Sequence, residues 1–155
     1  MMKLSKLTDY AVVIMVVMGQ RVGEVFTTQR LADETGVPQP TVAKLVKLLS
    51  KGGLLISQRG ANGGYRLDID PDELSIACVI AAVEGPIALT ACVEGTDDSC
   101  TVEHLCGMRG NWNKVNGAIE QALQNVTLAD MSPAPVIFPP AGKTSHTSPA
   151  SALRS

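Results

Sequence analysis

Apolar residues recur at helical spacing from the start of the chain. Leu7, Tyr10, Ala11, Ile14, Val17 and Met18 share one face of a helix predicted over Ser5 to Met18, and Gly19 ends it. Thr28 is placed to cap a short second helix through Thr35, with Leu31 and Ala32 facing inward. Gly36 stops that helix and opens a tight turn. Pro38 and Pro40 flank the start of a third helix, in which Val42, Leu45, Val46 and Leu49 follow the i, i+3, i+4, i+7 pattern; Gly52 and Gly53 terminate it. Two apolar stretches, Leu54 to Gln58 and Tyr65 to Ile69, then read as strands. The turn between them is Arg59-Gly60-Ala61-Asn62-Gly63-Gly64, so together they form a β-hairpin. Helix, helix, turn, helix, hairpin is the order of a winged helix-turn-helix. Ser75 caps a fourth helix with Ile76, Val79, Ile80 and Val83 on one face, closed by Gly85-Pro86. Cys78, inside that helix, reads as a small buried hydrophobe. Further on, Trp112, Val115, Ile119, Ala122, Leu123 and Val126 make a long stripe that calls for a partner helix. From Ser132 the period disappears into proline, serine and alanine.

These patterns predict a mainly α fold with a small β-hairpin. Residues 1–70 form a winged helix-turn-helix DNA-binding domain. Residues 71–131 hold a helix, a cysteine loop (90–108) and a dimerisation helix (109–127), and 132–155 is a disordered tail. A hydrophobic fraction of 45% over 155 residues supports a core, and 3% aromatics make that core aliphatic. The longest apolar run, Ala11 to Met18, is too short to span a bilayer and follows the acidic Asp9. No membrane role is expected. The location expected is the cytoplasm, where thiols stay reduced and clustered cysteines serve as ligands or sensors.

Charge sharpens the picture. Residues 1–66 carry nine Lys and Arg against four acids, a surplus of +5, while the remainder is at −7. A polyanion therefore fits the first half. With its apolar face buried, the third helix keeps Gln39, Thr41, Lys44, Lys47 and Lys51 outside. Gln39, Pro40 and Thr41 sit at the helix start, where bases are read. Lys44 suits a guanine edge or a phosphate, and Lys47 and Lys51 suit phosphates. Arg59 projects from the hairpin tip with Asn62, shaped for a minor groove. Thr28, Lys3 and Lys6 add to the set. The competing reading is a solvated lysine face and an ordinary glycine-rich hairpin. The partner expected is double-stranded DNA. No arrangement of catalytic groups appears, so neither an enzyme nor a small-molecule substrate is expected.

Cys92, Cys100 and Cys106 follow the pattern C-x7-C-x5-C. Structural zinc sites favour short Cys-x-x-Cys pairs, which are missing here, whereas these gaps suit an iron–sulfur cluster gripped by one loop. Three alternatives stay open, one of them a set of reduced thiols with no ligand role. His104 could complete a Cys3His zinc site, although it lies only two residues from Cys106. The thiols could also act as a cluster-free redox sensor. His146, in the tail, has no partner residues nearby.

Several segments resemble the IscR-type regulators, the winged-helix iron–sulfur repressors. They are Leu4-Ser5-Lys6-Leu7-Thr8-Asp9-Tyr10-Ala11-Val12, the stretch Arg59 to Leu67, Val83-Glu84-Gly85-Pro86-Ile87, the cysteine segment, and Val126 to Met131. The likeness is nearest to the branch that regulates the SUF iron–sulfur assembly operon. That branch similarly carries Pro-Thr-Val-Ala-Lys (40–44 here) and Asn-Trp (111–112 here). The resemblance implies a homodimer on a near-palindromic operator, acting as a repressor. It implies an iron–sulfur cluster on Cys92, Cys100 and Cys106, [2Fe–2S] more often than [4Fe–4S]. IscR-type proteins have a histidine three residues after the third cysteine; Arg109 stands there and cannot ligate. In nitric-oxide-sensing relatives an aspartate in helix one of the partner subunit completes the site. Asp9 matches it, with His104 and Glu103 as competitors.

Overall fold

The computed structural model describes residues 3–89 and 109–133. In chain order they form α1 (Lys6–Gly19), β1 (Val25–Phe26), α2 (Thr28–Thr35), α3 (Gln39–Lys51), β2 (Ile56–Gln58), β3 (Gly64–Arg66), α4 (Ile76–Glu84) and α5 (Arg109–Gln124). Local chemistry sets most ends. The Ser5 hydroxyl accepts the Thr8 N–H at 3.2 Å and starts α1. Ser75 does the same for α4 through the Cys78 N–H. The α2 cap is Thr27 rather than Thr28: Thr27 has the extended backbone, and its hydroxyl accepts the Arg30 N–H at 3.1 Å. Gly36 ends α2 in the left-handed region at φ 73°.

The predicted hairpin is present and gains a strand. β1 lies on the free side of β3, giving an antiparallel sheet ordered β1-β3-β2. Val25 pairs with Arg66 and Phe26 with Tyr65. A two-residue strand leaves no alternation to read, which is why the pattern missed it. Both hairpin strands are shorter than expected, because Leu54, Leu55 and Leu67 leave the ladder to enter the core.

The α3 face of Val42, Leu45, Val46 and Leu49 is buried as the spacing predicts. It packs with Ile14, Met15, Met18, Phe26, Leu31 and Val79 in one cluster. That core crosses residue 70. α4 lies on α1 and α3, so close that a methyl group on Gly52 would sit 2.8 Å from Ala82 Cβ. Leu128, beyond α5, is fully buried in the same cluster. Its segment is held like a strand: Ile76 N–H to Val126 O at 2.9 Å, and Leu128 N–H to Leu74 O at 2.7 Å. This pairing ends α5 at Gln124, ahead of the expected residue 127.

Cys78 requires a correction. It is exposed, not buried. On α4 it lies opposite the face of Ile76, Val79 and Ile80, so apolar neighbours in sequence are not neighbours in space. The Ser75 hydroxyl contacts its sulfur at 3.3 Å. No helix among the described residues is long and apolar enough to cross a membrane.

Candidate functional site

Once α3 buries its apolar face, its polar residues are left on one outward row. Gln39, Pro40, Lys44, Lys47 and Lys51 are exposed and Thr41 is half-buried. Pro40 lies in the first turn, where a missing N–H costs no helical bond. Lys44, Lys47 and Lys51 border a shallow groove of about 460 Å³ floored by Ala43 and Leu48. The wing places Arg59 and Asn62 in the open, and the Gly63 N–H closes the turn on Gly60 O at 3.0 Å. A side chain at Gly64 would overlap the Phe26 carbonyl, so the wing can lie this close to β1 only with glycine there. Thr28 is half-buried at the start of α2. Lys3 and Lys6 are exposed at the start of α1. The Lys6 ammonium lies 5.4 Å from the Tyr10 ring centre, and its interaction with the Tyr10 side chain raises its pKa.

The positive surplus is not evenly available. Arg21 and Arg30 both lie over the Phe26 ring, at 4.8 and 4.4 Å. Both are paired: Arg21 with Glu34, and Arg30 with Glu24 at 2.7 Å and Glu34 at 2.8 Å. Arg21, then Arg30, hold the Glu34 carboxyl below its ordinary value. Arg66 pairs with Asp68 at 2.6 Å. Among the described residues, Lys44, Lys47, Lys51 and Arg59 make no ion pair. All three α3 lysines and the wing arginine are thus uncommitted, on the two surfaces a duplex would meet; Lys3 and Lys6 at the start of α1 and Lys114 on α5 are likewise outside the ion pairs. Sequence counting missed this sorting, although the i, i+3 spacing of Arg21–Glu24 and the i, i+4 spacing of Arg30–Glu34 signal part of it.

Cys92, Cys100 and Cys106 lie outside the described residues, as do Glu103, His104 and His146. Asp9 is exposed on α1, at the rim of a groove of about 690 Å³ lined by Leu4, Val12, Ile76 and Met131. Among the described residues its carboxylate makes no hydrogen bond or ion pair. An unengaged carboxylate has lone pairs to give, and a carboxylate joined to three thiolates would make a donor set that suits iron.

The α4-side root of the cysteine segment is fixed by residues that the sequence pattern did not single out. Glu84, the last residue of α4, accepts the Ser5 N–H at 3.1 Å and the hydroxyl of fully buried Thr8. These bonds from Ser5 and Thr8 hold the Glu84 carboxyl below its ordinary value. Asn116, on α5, is buried and clasps the chain leaving α4: its Nδ2 donates to Ile87 O at 2.8 Å, and its Oδ1 accepts the Leu89 N–H at 3.1 Å. One signal was present for Asn116, a polar residue in helical register with Trp112, Ile119 and Leu123.

A helix-turn-helix with a three-stranded wing and a basic outward α3 defines a winged-helix DNA-binding protein. Residues 4–134 match the Rrf2 family, described as iron-dependent transcriptional regulators, and the chain belongs to that family. The HTH-type transcriptional regulator NsrR of Bacillus subtilis is 26% identical over 131 residues, covering 84% of this chain and 90% of that one. Among solved structures, CymR (YrzC), the global cysteine regulator of B. subtilis, is 28% identical with a TM-score of 0.63. That match covers 85% of this chain and 97% of CymR. IscR of T. potens is 30% identical with a TM-score of 0.60, covering 84% and 85%. The chain is therefore a transcriptional regulator, not an enzyme. The IscR likeness holds at the level of the family, within which NsrR and CymR are also similar to this chain.

Proposed function

We propose that this regulator represses a SUF-type iron–sulfur assembly operon. It reads iron–sulfur status through a cluster held by Cys92, Cys100 and Cys106, [2Fe–2S] in preference to [4Fe–4S]. The observation that carries this reading is the C-x7-C-x5-C trio, set between α4 and α5 in a chain of an iron-dependent family. The SUF branch is favoured by Pro-Thr-Val-Ala-Lys at 40–44 and Asn-Trp at 111–112. Asp9 from the second copy of a homodimer completes the donor set, with His104 as the alternative; exposure of Asp9 at a groove rim supports the assignment. When bound, the cluster supplies a label whose presence follows iron and sulfide supply.

The protein's own groups do the rest. Thiolates that converged on one centre would draw residues 90–108 into one arrangement. α4 and α5 bracket that segment, and their setting orients the two heads on a near-palindromic duplex. Lys3, Lys6, Thr28, Gln39, Pro40, Thr41, Lys44, Lys47, Arg59 and Asn62 are the contacts proposed. Protein purified without air should be brown, with iron and sulfide in stoichiometric amounts. A Cys92→Ala variant that regulates its operon like wild type, with and without iron, would defeat the reading.

A second reading draws on the likeness to CymR, the global cysteine regulator of B. subtilis. In it the thiols respond without iron, and iron-free protein should show oxidant-dependent operator binding. A colourless zinc protein would point to a structural metal instead.

A further inference from the structure

We propose that Glu84 is a positioning residue that ties the root of the cysteine segment to the capped first turn of α1, passing the state of the thiolates to the DNA-binding head. The proposal rests on the cluster reading above. Glu84 grips the cap itself. Ser5 is the N-cap of α1, and the Ser5 N–H and Thr8 hydroxyl both donate to the same Glu84 oxygen. The Thr8 hydroxyl also lies 3.3 Å from the Ser5 hydroxyl, so three side chains close one network across 79 positions of sequence. Asp9 follows Thr8 directly, and its N–H bonds to Ser5 O at 3.2 Å. Lys3 and Lys6 flank Ser5. A shift of the cap therefore moves a proposed cluster ligand and two proposed phosphate contacts together.

The other side of Glu84 has little slack. Gly85 turns the chain sharply at φ 88°, with its N–H on Ala81 O at 3.0 Å. Pro86 follows, and Asn116 then holds Ile87 and Leu89. Cys92 is only three residues further on. Beside the latch lies a cavity of about 390 Å³, walled by Lys3 and Leu4 on one side and by Ile87 and Leu89 on the other. In a dimer that shares Asp9 across subunits, each Glu84 would join one protomer's loop root to the carboxylate serving its partner's cluster.

The test uses full-length protein, prepared without air, with and without reconstituted cluster. Operator affinity is measured in both states for wild type, Glu84→Ala, Glu84→Gln and Thr8→Val, alongside iron, sulfide and the visible spectrum. Wild type should show a ratio of about tenfold between the two states. Glu84→Ala and Thr8→Val should bring that ratio to within about twofold while iron and sulfide content stay at wild-type levels. Glu84→Gln, which keeps an acceptor oxygen, should restore most of the ratio. If Glu84→Ala fails to fold, Thr8→Val carries the measurement, since it keeps the shape of the buried side chain. A loaded variant that retains the wild-type ratio overturns the latch and leaves cluster sensing intact. A wild type whose two states bind the operator alike overturns the cluster reading and the latch with it.

Discussion

Arg30 and Arg59 carry the same charge and should behave in opposite ways. Arg30 is tied by Glu24 and Glu34 and rests on Phe26, whereas Arg59 stands exposed at the wing tip with no ion pair among the described residues. Arg59→Ala is expected to weaken operator binding and leave the melting temperature unchanged. Its plot of log affinity against log salt should become shallower by about 0.9 for each phosphate that the variant no longer neutralises. Arg30→Ala is expected to lower the melting temperature, because Phe26 loses its cover and Glu24 and Glu34 lose a partner, and to leave the salt slope alone. Binding titrations across a salt series, paired with thermal unfolding, separate the two. An Arg59→Ala protein with wild-type affinity would remove the wing from the interface.

At the scale of elements, the Asn116 clasp offers a sharper expectation than any cap. Asn116→Ala leaves Ile87 O and Leu89 N–H, which lie under α5, without their partner. An orphaned polar group costs about 1–3 kcal/mol when fully buried, and these half-buried groups should cost toward the lower end of that range. The denaturation midpoint should fall and the Leu89 amide should exchange faster, while amides within α3 keep their rates; an unchanged Leu89 rate would show that the clasp is not formed in solution. This same residue shows where sequence reading stops. α1, α3 and α4 were legible because each repeats its buried positions every three or four residues, and the α3 lysines followed once that face was assigned. β1 was not legible, since two residues carry no period. The α2 cap slipped by one because adjacent threonines offer the same hydroxyl, and only backbone geometry selects Thr27. Cys78 was misplaced because its neighbours in sequence were weighed instead of its place on the helix. Glu84 and Asn116 were invisible for another reason. Their partners lie 76 to 79 and 27 to 29 positions away, so no local pattern records the pairing.

For the whole molecule, acid and assembly are the two variables to vary. Glu34, Glu84 and Asp130 all have carboxyls held below their ordinary values, by Arg21 and Arg30, by Ser5 and Thr8, and by Thr127 respectively. A group depressed in the folded state binds its proton more readily when unfolded. Its contribution is present above the ordinary value, 4.5 for Glu and 3.8 for Asp, and is lost as pH falls through the lower folded value. Chemical denaturation should thus show a plateau near neutrality and a decline that starts below about pH 4.5. Assembly turns on α5. One side of this helix meets α4 and the Ile87–Leu89 segment, while Trp112 and Val115 stay 38% and 45% exposed. An apolar stripe on a helix that already has one side covered is best buried by a second copy across a two-fold axis. Val115→Glu would place a charge in that proposed seam. Sedimentation should then report the 16.3 kDa chain in place of twice that mass. Trp112, the single tryptophan, should shift its emission to the red as water reaches it. The heads would still fold, since the main core draws on α1 to α4 and Leu128 rather than on this face. They would no longer be linked, so affinity for a two-half-site operator should fall by about 10² or more while affinity for a single half-site stays level. A Val115→Glu protein that sediments as a dimer would move the subunit contact elsewhere, and the proposed pairing of Asp9 with the other copy's thiolates would lose its geometric basis.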